Sequence, residues 1–141
     1  MVKLENTQNA QELMYQFRYL REQRDMLANQ LDFISASRRN LTNTKTTVAN
    51  LKDLKDGEEI LLPLGGGIIN VKATIKNPEK VLLFVNQDVV IEKDIDTSIE
   101  FVDKLIEQHN QQIEFLQSQI QNLDANIAKM SQILQQAVPQ Q

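Results

Sequence analysis

A chain of 141 residues with a net charge of −4 has room for one domain, and carries neither the basic footprint of a nucleic-acid binder nor a polybasic membrane patch. With no cysteine it has no disulfide and no thiolate metal site, which fits a reducing cytosol. No tryptophan and only four glycines argue against a conventional globular core, the longest apolar run (Val81 to Val85) is far too short to cross a bilayer, and Met1–Asn6 lack the apolar stretch of a signal peptide.

The first predicted element is a helix over about 7–56. Leu13, Leu20, Leu27, Ile34, Leu41 and Val48 recur at heptad spacing, with Ala10, Phe17, Arg24, Leu31, Arg38 and Lys45 at the intervening seam positions. From Leu13 to Val48 is roughly 50 Å of helix at 1.5 Å per residue. After Val48 the register slips, since Leu51 and Leu54 fall at other heptad positions, so the last turns leave the seam. Gly57 is the expected C-terminal stop.

The next segment, about 58–95, changes character. Ile60-Leu61-Leu62-Pro63-Leu64 leads to Gly65-Gly66-Gly67, and Val71, Ala73 and Ile75 alternate with Lys72, Thr74 and Lys76 at the period of a strand. Lys76–Lys80 is a turn signal around Pro78; Val81–Val85 is β-rich and apolar on both faces; Asn86-Gln87-Asp88 is a second turn before Val89–Lys93. Four short strands in two β-hairpins result. Isolated hairpins are marginal in water, and apolar edges and second faces need covering, so the segment reads as an oligomerisation surface.

A second helix is predicted over about 97–137, opened by a capping box with Thr97 as N-cap and Glu100 reaching back. Ile99, Ile106, Ile113, Ile120, Ile127 and Leu134 form its heptad series, and Pro139 follows its end. Run backwards, this series matches the first: Leu13 with Leu134, Leu20 with Ile127, Leu27 with Ile120, Ile34 with Ile113, Leu41 with Ile106, Val48 with Ile99. The intervening positions keep the same register: Phe17 with Met130, Arg24 with Leu123, Leu31 with Leu116, Arg38 with His109, Lys45 with Val102. That is an antiparallel coiled coil within one chain. The fold class is therefore α+β: two long paired helices joined by two β-hairpins.

Chemistry-bearing candidates are few. The triple glycine lacks the Gly-Lys-Ser/Thr of a phosphate loop and precedes a strand, so a hairpin turn or bulge is the simpler role. His109 is the lone histidine, and a metal or catalytic role would need further ligand residues that the sequence does not supply; level with Arg38, it suits a polar layer that fixes alignment. Arg24 and Lys45 can lie along the seam and turn their charges toward Asp124 and Asp103. No pair of acids with a base, no metal constellation and no nucleophile motif is present, so an enzyme is not expected and no cofactor is called for. Off the seam, Tyr19, Met26 and Phe33 on the first helix and Phe101 and Phe115 on the second share one flank. They are either scattered surface hydrophobics or a surface for apolar or unfolded partners. Met14, Tyr15, Phe17, Met130, Leu134 and Val138 form an adaptable Met-bearing cluster near the chain ends, exposed if the helix ends fray.

Paired heptad helices around Leu62-Pro63-Leu64-Gly65-Gly66-Gly67, Val71-Lys72-Ala73, Lys80-Val81-Leu82, Val90-Ile91-Glu92-Lys93 and Ile99-Glu100-Phe101 resemble a prefoldin α subunit of the archaeal type, over the whole chain. One departure is Val85-Asn86-Gln87-Asp88, where that family often has glycines; Asn and Asp tolerate the left-handed backbone, so the turn is expected to survive.

The resemblance implies an ATP-independent holdase of the cytoplasm. Two α and four β subunits would join their hairpins into a β-barrel body, and coiled-coil tips would capture non-native clients and pass them to a group II chaperonin. Nucleic acid and membrane are not among the implied partners. It marks Leu13, Met14, Phe17, Met130 and Leu134 as client contacts near the tip, and Tyr19, Met26, Phe33 and Phe115 as a second client set. Ile60, Leu62, Leu64, Val71, Ile75, Val81, Leu83, Val85, Val89 and Ile91 become assembly residues. The rival reading is a structural coiled-coil adaptor for one defined folded partner.

Overall fold

The computed structural model describes the backbone of residues 2–137 and the side chains of residues 8–136. Val138 and Pro139, named above, lie outside the described residues. Helix α1 (Val2–Asn50) leads through a short 3-10 turn (Leu51–Asp53) to strands β1 (Glu59–Leu64), β2 (Ile69–Thr74), β3 (Lys80–Phe84) and β4 (Val90–Asp94), and helix α2 (Ile95–Ala137) completes the order. The expected pair of long helices and two antiparallel hairpins is observed. The chain divides into two compact units: residues up to 37 with those from 109 onward, and residues 38–108.

In the first unit, α1 and α2 run antiparallel, as two cross-helix bonds show: Arg24 Nε donates to Asp124 Oδ1 at 3.0 Å, and the Ser37 hydroxyl lies 3.0 Å from His109 Nε2. The predicted heptad positions are the ones withdrawn from solvent. Ile113, Leu116, Ile120 and Leu134 are buried; Leu13, Phe17, Leu20, Leu27, Leu31, Ile34, Leu123, Ile127 and Met130 are half-buried. Two helices alone cannot enclose a seam completely, which is why few side chains reach full burial. The His109 polar layer has the Ser37 hydroxyl as its partner within this unit.

In the second unit the helices stay antiparallel: Lys45 pairs with Asp103 at 2.6 Å, as expected from the seam register, and Lys52 pairs with Asp96. Helix α1 ends at Asn50, and Leu54 is extended (φ −93°, ψ 144°), so the helix stops before Gly57. Gly57 has a different task. Its φ of 87°, the Glu58 N–H donating to Lys55 O (3.1 Å), and the bonds Gly57 N–H to Ile75 O and Ile75 N–H to Glu58 O (both 2.9 Å) define a type II turn closed by a β-bulge. A helix-stop reading fails because six residues separate the end of α1 from the glycine, and the glycine opens the first hairpin instead.

The start of α2 is also shifted. Asp94, not Thr97, caps the helix: its Oδ1 accepts the Thr97 N–H at 2.7 Å. Thr97 sits three residues on, where its hydroxyl also bonds the Asp94 carboxylate and, with its backbone N–H, holds that carboxyl below its ordinary pKa. The buried Ser98 hydroxyl donates to Asp94 O at 2.8 Å. An acid at the last strand residue thus outcompetes a threonine inside the first turn.

Hairpin β1–β2 pairs Ile60 with Ala73, Leu62 with Val71 and Leu64 with Ile69. Gly65 (φ 63°) and Gly67 (φ 86°) make its turn, and Asn70 Nδ2 donates to Gly67 O. Hairpin β3–β4 pairs Val81 with Lys93 and Leu83 with Ile91. Its turn survives without glycine, by a route other than a left-handed residue: Asn86 Oδ1 accepts the N–H groups of Asp88 (2.9 Å) and Val89 (3.0 Å). The left-handed non-glycine residue among those described is Asn77 (φ 54°), in the connection between the hairpins, with its N–H on Asp56 Oδ1 at 2.6 Å.

Candidate interaction surfaces

Among the described residues, no group of three His, Cys, Asp or Glu side chains is placed to hold a metal ion, and no helix is long and apolar enough to cross a membrane. What the residues do build is exposed apolar surface, of two kinds.

The hairpins provide the first. Side chains alternate across a strand, so Ile60, Leu62 and Leu64 share a face with Ile69, Val71, Ala73 and Ile75. That face is wholly apolar, yet Leu62, Leu64, Ile69 and Val71 are exposed. The opposite face is mixed: Glu59, Asn70, Lys72 and Thr74 lie beside Leu61, which is exposed, and Pro63. In the second hairpin Val81, Leu83, Val85, Val89 and Ile91 share a face, interrupted by Lys93. Here the other face is partly apolar too, through Leu82, Phe84 and Val90, with Lys80, Glu92 and Asp94 toward the helix end. Every predicted assembly residue falls on the apolar face of its own hairpin. Ile69 and Ala73 belong there as well and were missed, although strict alternation through the glycine turn would have found them.

The helix flank is the second kind. In the first unit Tyr19, Met26, Phe33 and Phe115 are exposed, Phe33 by 75%. Met26, Asn29, Gln30, Phe33, Ile34 and Gln112 line a shallow groove there. Its polar lining is amide, without a formal charge. Phe101, in the second unit, is 40% exposed. Near the chain ends, Met14 and Tyr15 are exposed. The other predicted tip contacts sit in the seam: Leu13, Phe17 and Met130 half-buried and Leu134 buried, with the Arg21 guanidinium 5.7 Å over the Phe17 ring. Those four reach a partner only if the seam opens. Ile133, 48% exposed, went unnoticed because it lies outside both heptad series.

The family model described as Prefoldin subunit matches residues 20–140. Prefoldin subunit alpha 1 of Thermococcus kodakarensis is 30% identical over 74% of this chain and 71% of its own length. Prefoldin subunit alpha of Methanococcus maripaludis is 43% identical over 53% of this chain, a match that spans 51% of that relative. Filamentous prefoldin from Methanocaldococcus jannaschii has a similar fold, with a TM-score of 0.70 and 23% identity over 80% of this chain and 93% of that one. The likeness read from the glycine-rich hairpin sequence is thus borne out across both helices and both hairpins, and the chain belongs to the prefoldin family.

Proposed function

We propose that this chain is the α subunit of an ATP-independent holdase, one domain along its whole length, working in the cytoplasm. Two copies join four β subunits; the apolar hairpin faces come together as a β-barrel body; and the paired helices capture non-native proteins and deliver them to a group II chaperonin. The observation that carries this is the hairpin face Ile60–Leu62–Leu64–Ile69–Val71–Ala73–Ile75, apolar throughout yet open to solvent. A two-stranded sheet with such a face is complete only when others cover it. Capture needs no catalytic group, in keeping with a family of chaperones.

Client binding is assigned first to Met14 and Tyr15, with Leu13, Phe17, Met130 and Leu134 joining as the helix ends separate, and second to Tyr19, Met26, Phe33 and Phe115. Many weak apolar contacts on several arms give avidity without specificity. The test is suppression of aggregation of a denatured protein by the assembled complex without ATP. Met14→Ser with Tyr15→Ser, and separately Phe33→Ser with Phe115→Ser, replace exposed side chains, so folding persists while protection falls. Full protection by both variants would remove these residues from the client surface.

A further inference from the structure

In the first unit the exposed side chains Tyr19, Met26 and Phe33 are seven residues apart, so they stand in one row along α1, about 10.5 Å between neighbours at 1.5 Å per residue. In the antiparallel register Phe115 of α2 stands nearly level with Phe33, and it is 62% exposed. The groove beside Met26 and Phe33 reaches Gln112 on α2 and Ile34 in the seam, which is only half-buried. An occupant of that groove touches the core of the helix pair as well as its surface. Charge is kept off this side. Between residues 23 and 37, and between 111 and 126, the charged residues are Arg24, Asp25, Asp32, Glu114 and Asp124. Arg24 turns to Asp124, which marks the other side of the pair, and heptad counting places Asp25, Asp32 and Glu114 beside it. Over the same stretch the groove side holds amides, serine and alanine around Met26, Phe33 and Phe115. Formal charge returns toward the chain ends, at Glu22 and Lys129.

We propose that this flank binds a third helix: an amphipathic segment of a non-native protein, with heptad-spaced apolar residues bordered by uncharged ones, laid along Tyr19, Met26 and Phe33 with Phe115 on its other side. The spacing of the row selects the conformation. A helix presents residues i and i+7 on one face about 10.5 Å apart, in step with the row. A strand presents same-face residues about every 6.7 Å, so one seated at Tyr19 misses Met26 by about 3 Å. A polyproline II segment repeats about every 9.3 Å and falls about 2.4 Å behind over the two steps from Tyr19 to Phe33. The uncharged groove selects composition, because a charge on the occupant's inner face would lose water and meet no counter-ion there. Unfolded chains keep fluctuating helices, and such a helix is marginal until its apolar face is packed. The groove supplies that packing, and the occupant in turn covers Ile34, which two helices alone leave half-open.

The third helix rests on the reading of this flank as a client surface and adds the conformation and charge of what binds. It is tested by fluorescence anisotropy of labelled peptides of about 21 residues, three heptads, titrated with the full chain. All are built from leucine, alanine and glutamine. In the first the leucines follow heptad spacing, in the second they alternate as in a strand, and in the third two central residues of the heptad peptide are proline. The heptad peptide binds at least about tenfold more tightly than the other two. Phe33→Ser with Phe115→Ser removes that margin. Gln30→Glu with Gln112→Glu removes it as well while leaving every apolar side chain in place, and circular dichroism shows both variants to be as helical as the unaltered chain. Equal binding of the heptad and strand-patterned peptides, or variants that bind like the unaltered chain, would overturn the proposal. Self-association of the chain that the same phenylalanine changes abolish would place a second copy in the groove and overturn it too. The wider reading is checked separately, with a denatured client and the complex assembled with a prefoldin β subunit. Protection there, with no preference among the peptides, would leave the holdase standing and discard the third helix.

Discussion

Ile113 is 4% exposed at the seam, level with Ile34, and shows what one side chain contributes. Its truncation to alanine leaves a cavity the surrounding helices fill only in part, so Ile113→Ala lowers stability by about 2–5 kcal/mol, read from the denaturant midpoint. Asp94 acts through charge. Its folded-state pKa lies below the unfolded value because the Thr97 hydroxyl and N–H bond the carboxylate. Its contribution is therefore present above the unfolded carboxyl pKa of about 4 and is lost as pH falls through the lower folded value. Asn caps a helix about as well as Asp. Asp94→Asn keeps the melting temperature near its neutral-pH value and flattens the acid side of a melting-temperature profile. These two residues differ in legibility. Ile113 was placed by heptad counting alone. The cap was assigned three residues too late, because Thr97-Ser98-Ile99-Glu100 carries a capping-box pattern and only the hydrogen bonds show that Asp94 caps first.

At the level of elements, periodicity gave both helices, both hairpins and the antiparallel register, and the ion pairs Arg24–Asp124 and Lys45–Asp103 fall where that register sets them. Such exposed pairs add only about 0.2–1 kcal/mol each, so they guard alignment more than they hold the fold. Boundaries were less legible, since a glycine after a helical pattern can stop a helix or open a hairpin, and composition does not say which. Gly57 does the second, at φ 87° in the bulge opposite Ile75. Gly57→Val forces a β-branched side chain into the left-handed region and costs about 1–2 kcal/mol. Loss at that site should loosen the first hairpin while helix content persists, measured by hydrogen exchange at Ile75 beside circular dichroism.

For the whole molecule, the apolar side chains fall into those the chain buries itself and those it leaves open. The seam residues of each unit, Leu13 to Ile34 with Ile113 to Leu134 in the first and Leu41 and Val48 with Ile99 and Ile106 in the second, are withdrawn from solvent within one chain. Leu62, Leu64, Ile69, Val71, Val85 and Val89 are not, and neither are Met14, Tyr15, Phe33 and Phe115. The sequence pattern showed which hairpin residues share a face and set Leu13, Phe17, Met130 and Leu134 in the seam, yet the same four were also marked as client contacts, because heptad position and client contact call for the same residue types.

The proposed role of the open apolar surfaces in assembly and capture predicts a hetero-oligomer that holds unfolded protein. It is tested most directly by the native mass of the chain mixed with a prefoldin β subunit, followed by a client aggregation assay without ATP. A defined hetero-oligomer that keeps the client in solution is the predicted result. A chain that forms no hetero-oligomer, ignores unfolded protein and binds one folded partner stoichiometrically would contradict it and make this a coiled-coil adaptor.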